Sequence, residues 1–590
     1  MQWRAWRLMG LVASAAIVAW ATWQWQPTKV QAEYRSTPQS PTDETSDGQE
    51  LFHRSWLPDD PRSPNGDGLG PMFNETSCAA CHNQGGPGGG GPTSKNVELL
   101  TAFFVQPPTP VLPPGVRGNP NPTQKKAINP ASQRKLILQT LKVIHPDFEK
   151  SSSVVIHRFG TSGKHNQWRT NLLSQSQSFQ NVNVSFQNSV PQPFGGSFSP
   201  DQNSAARFAG VAASLTDDPL PSAEPPRTEP VPDPSFPSPA QVAQSVFPAV
   251  SALGTSSTGI PLVDELVGEM RRLQNETRQD LSKSIHRGQV VLLSSQRNTS
   301  ALFGAGVIDT IPDEVIEAAA KIQYEDFPRV SGRVHRLPDN KIGRFGWKAQ
   351  KASLRDFTLA ACANELGLDV PEHAQPQVPY EPHQKSKGQD MTANEAAALV
   401  SYVRSLPAPI QEMPKDKEAA KIIKQGQELF TSVGCAVCHK QDLGEAKGIY
   451  SDLLLHDMGS QLQASGSYGI PLVPEEFDPT ADEPEAQTDR GTTGEADPNT
   501  TTQTTGRPQP SKLKAATSGE WRTPPLWGLR DSAPYMHDGR AATLEQAIAL
   551  HGGEGSDAAV RFFMMPAKKR QQMISFLKTL RAPDQHATAN

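Results

Sequence analysis

From Lys417 to Phe430 the apolar residues Ala419, Ile422, Ile423, Leu429 and Phe430 recur largely at helical spacing. This pattern predicts an amphipathic helix that leads into Cys435. Thr392–Leu406 and Lys568–Leu580 place apolar residues at i, i+3 and i+4 and stop before Pro407 and Pro583, so each predicts a helix closing a module. Elsewhere the periodicity fails. Pro107–Pro122 and Asp217–Gln241 are proline-rich and aperiodic, which predicts surface loops or linkers. Pro474–Pro508, dominated by Glu, Asp, Thr and Gly, predicts a disordered insertion. Gln175–Ser204, rich in Ser, Gln and Asn, carries no pattern that assigns it a structure.

The elements come in two matching series. The word GQELF stands at Gly48–Phe52 and again at Gly426–Phe430, each time upstream of a Cys-x-x-Cys-His: Cys78–His82 and Cys435–His439. Thr299–Gly304 resembles Thr523–Gly528. Ala352-Ser353-Leu354, with Ala360 downstream, parallels Ala542-Thr543-Leu544, with Leu550 downstream. Val400–Pro409 parallels Ile574–Pro583. Four matches in one order predict two related domains, at 45–410 and 415–585. A helix entering a CxxCH and a second helix closing the module is the plan of a c-type cytochrome domain. The expected fold is therefore mainly α, with two duplicated cytochrome c-type domains and long irregular, proline-rich insertions.

Composition refines this picture. At 590 residues the chain exceeds a single core, and its 54 prolines are roughly twice the usual share. A net charge of −5 offers no basic field for nucleic acid. Arg4 and Arg7 precede an apolar run from Leu8 to about Trp23, and Val30-Gln31-Ala32 has small residues at cleavage spacing. Residues 1–32 thus read as a secretory signal peptide or an uncleaved membrane anchor. Either way the body is expected outside the cytoplasm, in the periplasm or otherwise exported, and at a membrane only if the segment stays uncleaved.

Four of the five cysteines (Cys78, Cys81, Cys435, Cys438) fall in the two pentads, and the fifth is Cys362. In CxxCH the spacing brings two thiols beneath the vinyl groups of a porphyrin, and the adjacent imidazole reaches the iron. The pattern therefore predicts two covalently bound haem c groups, on Cys78, Cys81 and His82 and on Cys435, Cys438 and His439. A thioredoxin-like pair has no use for the histidine, and a zinc site built from the four thiols would leave both histidines and the repeat unexplained.

The sixth ligand decides between electron transfer and binding of an oxidant. For the second haem the candidates are His551, Met536, His537, His456 and Met458. His551 lies one step past Leu550, and the matching position of the first half is Ala361, so the first haem lacks this ligand. The glycine run Gly85–Gly91 after His82 reads either as backbone approaching a haem face or as a surface loop. Cys362, beside the vacant position, reads as an inert buried thiol rather than as a ligand, the alternative its place offers. Trp521 and Trp527 read as packing residues or as groups between the haems. Ser63–Asn74 has the flavour of a calcium loop without its closing Glu.

Trp521–Glu554 resembles the signature of bacterial di-haem cytochrome c peroxidases and their methylamine-utilisation relatives. GDGLGPMFNETSCAACHNQGG, SQRNTSALFGAGVIDTIPDE, IGRFGWKAQ and YSDLLLHDMG resemble the di-haem oxidoreductase family more closely. The resemblance implies a covalent haem in each domain. It also implies that His551 replaces the distal Met of the electron-transfer haem, and that calcium lies between the domains on carbonyls matching Ser532 and Pro534. No histidine after His82 matches the distal ligand of the peroxidatic haem. The expected activity is oxidoreductase chemistry of peroxidase type, with electrons passing through the second haem to an open first haem. Its partners would be a small oxidant such as peroxide and a redox protein. The competing reading is a non-catalytic di-haem carrier that serves another exported redox enzyme.

Overall fold

Both glycines of the repeated GQELF stand where two helices cross backbone to backbone. The computed structural model describes residues 43–63, 65–104, 141–174, 177–178, 261–277, 283–287, 290–464, 466 and 515–584. The helices that bear on the site are α1 (Asp43–His53), α2 (Cys78–Cys81), α3 (Pro261–Glu276), α4 (Leu354–Leu366), α5 (Ala393–Ser405), α6 (Lys417–Ser432), α7 (Leu544–Ala549), α8 (Ser556–Met564) and α9 (Ala567–Leu577). A Cβ on Gly48 of α1 would lie 2.0 Å from Ala398 O and 2.8 Å from Tyr402 Cβ, both on α5. A Cβ on Gly426 of α6 would lie 2.2 Å from Gln572 O and 2.9 Å from Phe576 Cβ, both on α9. These contact pairs are the ones matched when Val400–Pro409 is aligned with Ile574–Pro583.

Each crossing nucleates a core. Leu51, Phe52 and Trp56 join Leu359, Leu399 and Val403 in the first, while Phe430, Phe562, Phe563 and Phe576 gather in the second. Full burial of side chains this size stabilises by roughly 1.5–3 kcal/mol each. The cores also exchange chain. Leu443, Ile449 and Leu454, which follow the second CxxCH, pack into the first core, and Met270 of α3 packs into the second.

The described residues also contain a sheet that the expected, mainly helical fold did not include. Strands β1 (Val97–Phe104), β2 (Ser153–Val155), β3 (Gln177–Ser178), β4 (Lys283–Arg287) and β5 (Val290–Arg297) form one antiparallel sheet in the order β2-β1-β5-β4-β3. Thr101 stands opposite Leu293, and Val97 opposite Arg297. Both faces are covered: Leu100, Ala102 and Leu292 pack on Phe148, and Val97 and Leu99 pack with Val155. The fold is therefore mainly helical with some sheet.

Pro107–Pro122, Asp217–Gln241, Pro474–Pro508 and residues 1–32 lie outside the described residues, as does nearly all of Gln175–Ser204. Among the described residues no helix is long and apolar enough to cross a membrane.

The crossings predict the sign of a substitution. Helix propensity alone would make Gly→Ala stabilising by about 1 kcal/mol. Gly48→Ala and Gly426→Ala should instead each destabilise by about 1–3 kcal/mol, because the new methyl meets a carbonyl oxygen that only helix separation can relieve. Denaturant unfolding of each variant reads the sign.

Candidate functional site

The two CxxCH motifs close the same backbone hydrogen bond. The backbone N–H of His82 donates to Cys78 O at 2.9 Å, and that of His439 donates to Cys435 O at 3.0 Å. Ser77 caps the first turn by accepting from Ala80 N. In both halves the GQELF phenylalanine sits beside the motif histidine: Phe52 and His82, like Phe430 and His439, have ring centroids 6.4 Å apart. The helix crossing thus sets the phenylalanine, and the phenylalanine backs the imidazole.

Each imidazole is braced through Nδ1. His82 Nδ1 lies 3.2 Å from Gly89 O, and His439 Nδ1 lies 2.9 Å from Tyr450 O. A carbonyl only accepts, so Nδ1 carries the proton in both rings and Nε2 keeps a lone pair for a metal. Burial lowers both pKa values to about 4, so the rings are neutral at physiological pH. The glycine run after His82 therefore folds back to place Gly89 O on the ring. A Cβ at Gly89 would lie 1.7 Å from Gln84 O, so the brace excludes a side chain there.

The thiols fit attachment to a ring better than redox or zinc chemistry. Burial pushes Cys78, Cys81 and Cys435 up to about 12, so they remain protonated. Among the described residues no four-thiol cluster forms.

The distal sides differ. Ser353 caps α4 and Thr543 caps α7, each accepting from the backbone N–H three residues on. Ala361 and His551 stand the same number of residues past their caps. In the second half α7 ends at Ala549, and His551 emerges opposite His439 with ring centroids 6.4 Å apart. With a metal–imidazole bond of about 2.0 Å, rings on opposite sides of one ion have centroids about 6 Å apart. His551 Nδ1 donates to Ala547 O at 2.7 Å, and burial lowers its pKa, so it too presents a free Nε2.

In the first half α4 runs on to Leu366. Its face bearing Thr358, Ala361, Cys362 and Glu365 lines a cleft that His82 enters from the other side. The cleft encloses about 1050 Å³, its open mouth included. Of the described residues lining it, His82 is the only histidine, and none is a methionine. Thr358 Oγ1 is buried there without a partner. Glu365 accepts from Asn74 Nδ2 at 2.8 Å, and Glu75 pairs with Lys95 on the same wall.

The other candidates have different surroundings. Both ring nitrogens of His456 are engaged, Nε2 by Asp452 at 3.0 Å and Nδ1 by Glu554 at 2.7 Å, so it has no lone pair for a metal. Burial alone would lower its pKa, but the bonds to Asp452, Cys438 and Glu554 outweigh that and hold it well above its ordinary value. Cys438, Asp452 and His456 lie close enough together to suggest a metal cluster. With both ring nitrogens facing carboxylates, His456 forms an ionic clamp beside the second motif. His537 stacks on Trp521 at 3.8 Å. Met536 and Met458 pack on the Trp521 cluster, and Met458 also borders Gly555 next to His551. Cys362 is buried, and burial raises its pKa well above 9.0, as expected of an unreactive thiol.

Trp527 packs in the first core, and Trp521 is flanked by Lys348 at 3.6 Å and Arg297 at 5.0 Å from its ring centroid. A third tryptophan, Trp347, is marked by neither spacing nor the repeat. It lines the His82 cleft and also packs on the cluster containing Leu550, the neighbour of His551. In the sequence only the stretch IGRFGWKAQ that contains it points its way.

Residues 505–580 match the family described as "Di-haem oxidoreductase, putative peroxidase". The chain is 27% identical over 197 residues to methylamine utilization protein MauG of Methylorubrum extorquens, a match covering 32% of this chain. It spans 43% of that relative's length. Among solved structures, hydrazine synthase of Kuenenia stuttgartiensis matches at 16% identity over 63% of this chain and 100% of that one, with a TM-score of 0.25. A MauG-like protein associated with microbial copper homeostasis matches at 17% identity over 48% of this chain and 93% of that one, with a TM-score of 0.24. The family and MauG matches bear out the resemblance to di-haem oxidoreductases, whose description implies haem as cofactor and redox chemistry.

The ionic clamp yields a prediction with a pH sign. A histidine whose folded pKa is raised contributes fully below its unfolded pKa of about 6.5, and the contribution fades as pH rises toward the folded value. His456→Leu should cost about 3–5 kcal/mol near pH 6, because the buried Asp452 and the partly buried Glu554 lose their cation. The loss should be smaller near pH 8.5, as urea unfolding at the two pH values will read.

Proposed function

We propose that the chain is an exported di-haem c-type oxidoreductase, built from two duplicated cytochrome domains, that reduces a small oxidant such as peroxide. Cys78 and Cys81 carry one haem and Cys435 and Cys438 the other. His82 would hold the iron of the first haem, and His439 and His551 that of the second. The observation that carries this reading is the asymmetry across one equivalent position. His551 faces His439 at 6.4 Å, whereas the cleft of His82 has Ala361 in that place.

Haem, when bound, supplies an iron that changes oxidation state and can take a small ligand where a coordination position is open. The protein groups have separable roles. Gly89 O, Tyr450 O and Ala547 O fix the three imidazoles in the tautomer that presents Nε2. Two imidazoles on the second haem favour electron transfer. Small and polar groups opposite His82 (Ala361, Thr358, Glu365) leave room for an oxidant and put a carboxylate where a proton can be delivered. Trp347 lines the first site and packs on the cluster containing Leu550, beside His551, so it offers an aromatic step between the sites.

Export rests on the N-terminal pattern of Arg4, Arg7 and the apolar run, and membrane attachment would require that segment to stay uncleaved. A calcium ion on the carbonyls of Ser532 and Pro534 is part of the proposal. That turn faces the first half, where Gln84 Nε2 donates to Ala533 O at 2.7 Å. A redox protein that delivers electrons to the second haem completes the set of partners.

The test is His551→Ala. The second haem should turn from low-spin to high-spin while the first is unchanged and both remain covalently attached on a denaturing gel. A second haem that stays low-spin would assign the ligand elsewhere, to Met458 or Met536, and overturn the reading.

A further inference from the structure

α3 lies far upstream of the second CxxCH in sequence, yet it packs on the segment that carries His551. Met270 is 7% exposed in the second core, with Leu273 packed beside it. Glu269 accepts from Arg570 of α9 at 2.9 Å. Gln274 Nε2 donates to Ala549 O at 2.6 Å, and Gln274 Oε1 accepts from Gln461 at 3.3 Å. The second bond fixes which end of the Gln274 amide faces Ala549.

Ala549 is the last residue of a helix only six residues long, and the carbonyls of a final helical turn lack intrahelical partners. Ala547 O is taken by the His551 ring itself, while Ala549 O is taken by Gln274. Downstream of His551 the segment is anchored at Glu554, which pairs with His456 at 2.7 Å. On the upstream side Gln274 ties the segment through the last carbonyl of α7.

We infer that α3 is a strap that positions His551, with Gln274 as the positioning residue. It sets how readily the second haem gives up its distal imidazole to an incoming small ligand. The inference rests on the reading of His551 as that ligand. Gln274 does not touch the iron and acts only through the carbonyl of Ala549.

The experiment follows cyanide binding to the oxidised, full-length di-haem protein by absorbance and electron paramagnetic resonance. The open first haem should bind in a fast phase, and the second in a slow phase limited by departure of His551. Gln274→Glu keeps the shape of the side chain but removes the donor. It should speed the slow phase about threefold to tenfold, the equivalent of one lost hydrogen bond, and leave the fast phase unchanged. Gln274→Lys, which restores a donor, should bring the slow phase back toward the wild-type rate. An unchanged slow phase in Gln274→Glu overturns the strap. In parallel, His551→Ala should abolish the slow phase. If the slow phase persists in that variant, the ligand assignment falls and the strap falls with it. If it vanishes there but Gln274→Glu behaves as wild type, only the strap falls.

Discussion

Two helices can meet backbone to backbone only where one of them has no side chain, and the site depends on that contact at Gly48 and Gly426. The close approach fixes the angle at which GQELF enters the module. It puts Phe52 and Phe430 at the same distance from His82 and His439, and so decides where each CxxCH turn lies. The thiol pair and its histidine are local features of five residues. Their placement against a closing helix distant in sequence is not, and it is the glycine contact that supplies it.

Above that shared frame the halves diverge through helix length. α7 stops early and releases His551 toward His439, while α4 continues and lines the matching cleft with Ala361, Cys362 and Glu365. Burial keeps the three imidazoles neutral, and backbone carbonyls hold their Nδ1 protons, so the chain presents three oriented nitrogen donors in two unequal sites. The clamp of His456 by Asp452 and Glu554 puts a charged imidazole beside Cys438 in the second site, where the first site has the Glu75–Lys95 pair on its wall.

Much of this frame is legible in the sequence because it is written in local patterns: helical periodicity, the CxxCH spacing, and the matching words Ala352–Leu354 and Ala542–Leu544 that let Ala361 be set against His551. The sheet is not. β1 and β5 are apolar runs of strand length, but a long aperiodic stretch separates them, and nothing local says that Val97 will stand opposite Arg297. The docking of Met270 into the second core and the clamp of His456 by Glu554 are hidden for the same reason, since each joins residues with no shared period. Gly85–Gly91 is ambiguous because glycine spacing does not reveal which carbonyl will turn toward a ring. Trp347 does not stand out because a tryptophan lining one site and packing beside another looks, in sequence, like any core residue.

The claim that the two iron sites are unequal is tested most directly by a low-temperature electron paramagnetic resonance spectrum of the purified, fully oxidised protein. One high-spin and one low-spin ferric signal of equal weight is the predicted result, the first from the His82 site and the second from the His439–His551 site. Two low-spin signals would contradict it, because the first site would then hold a second strong ligand and the protein would behave as a carrier of electrons.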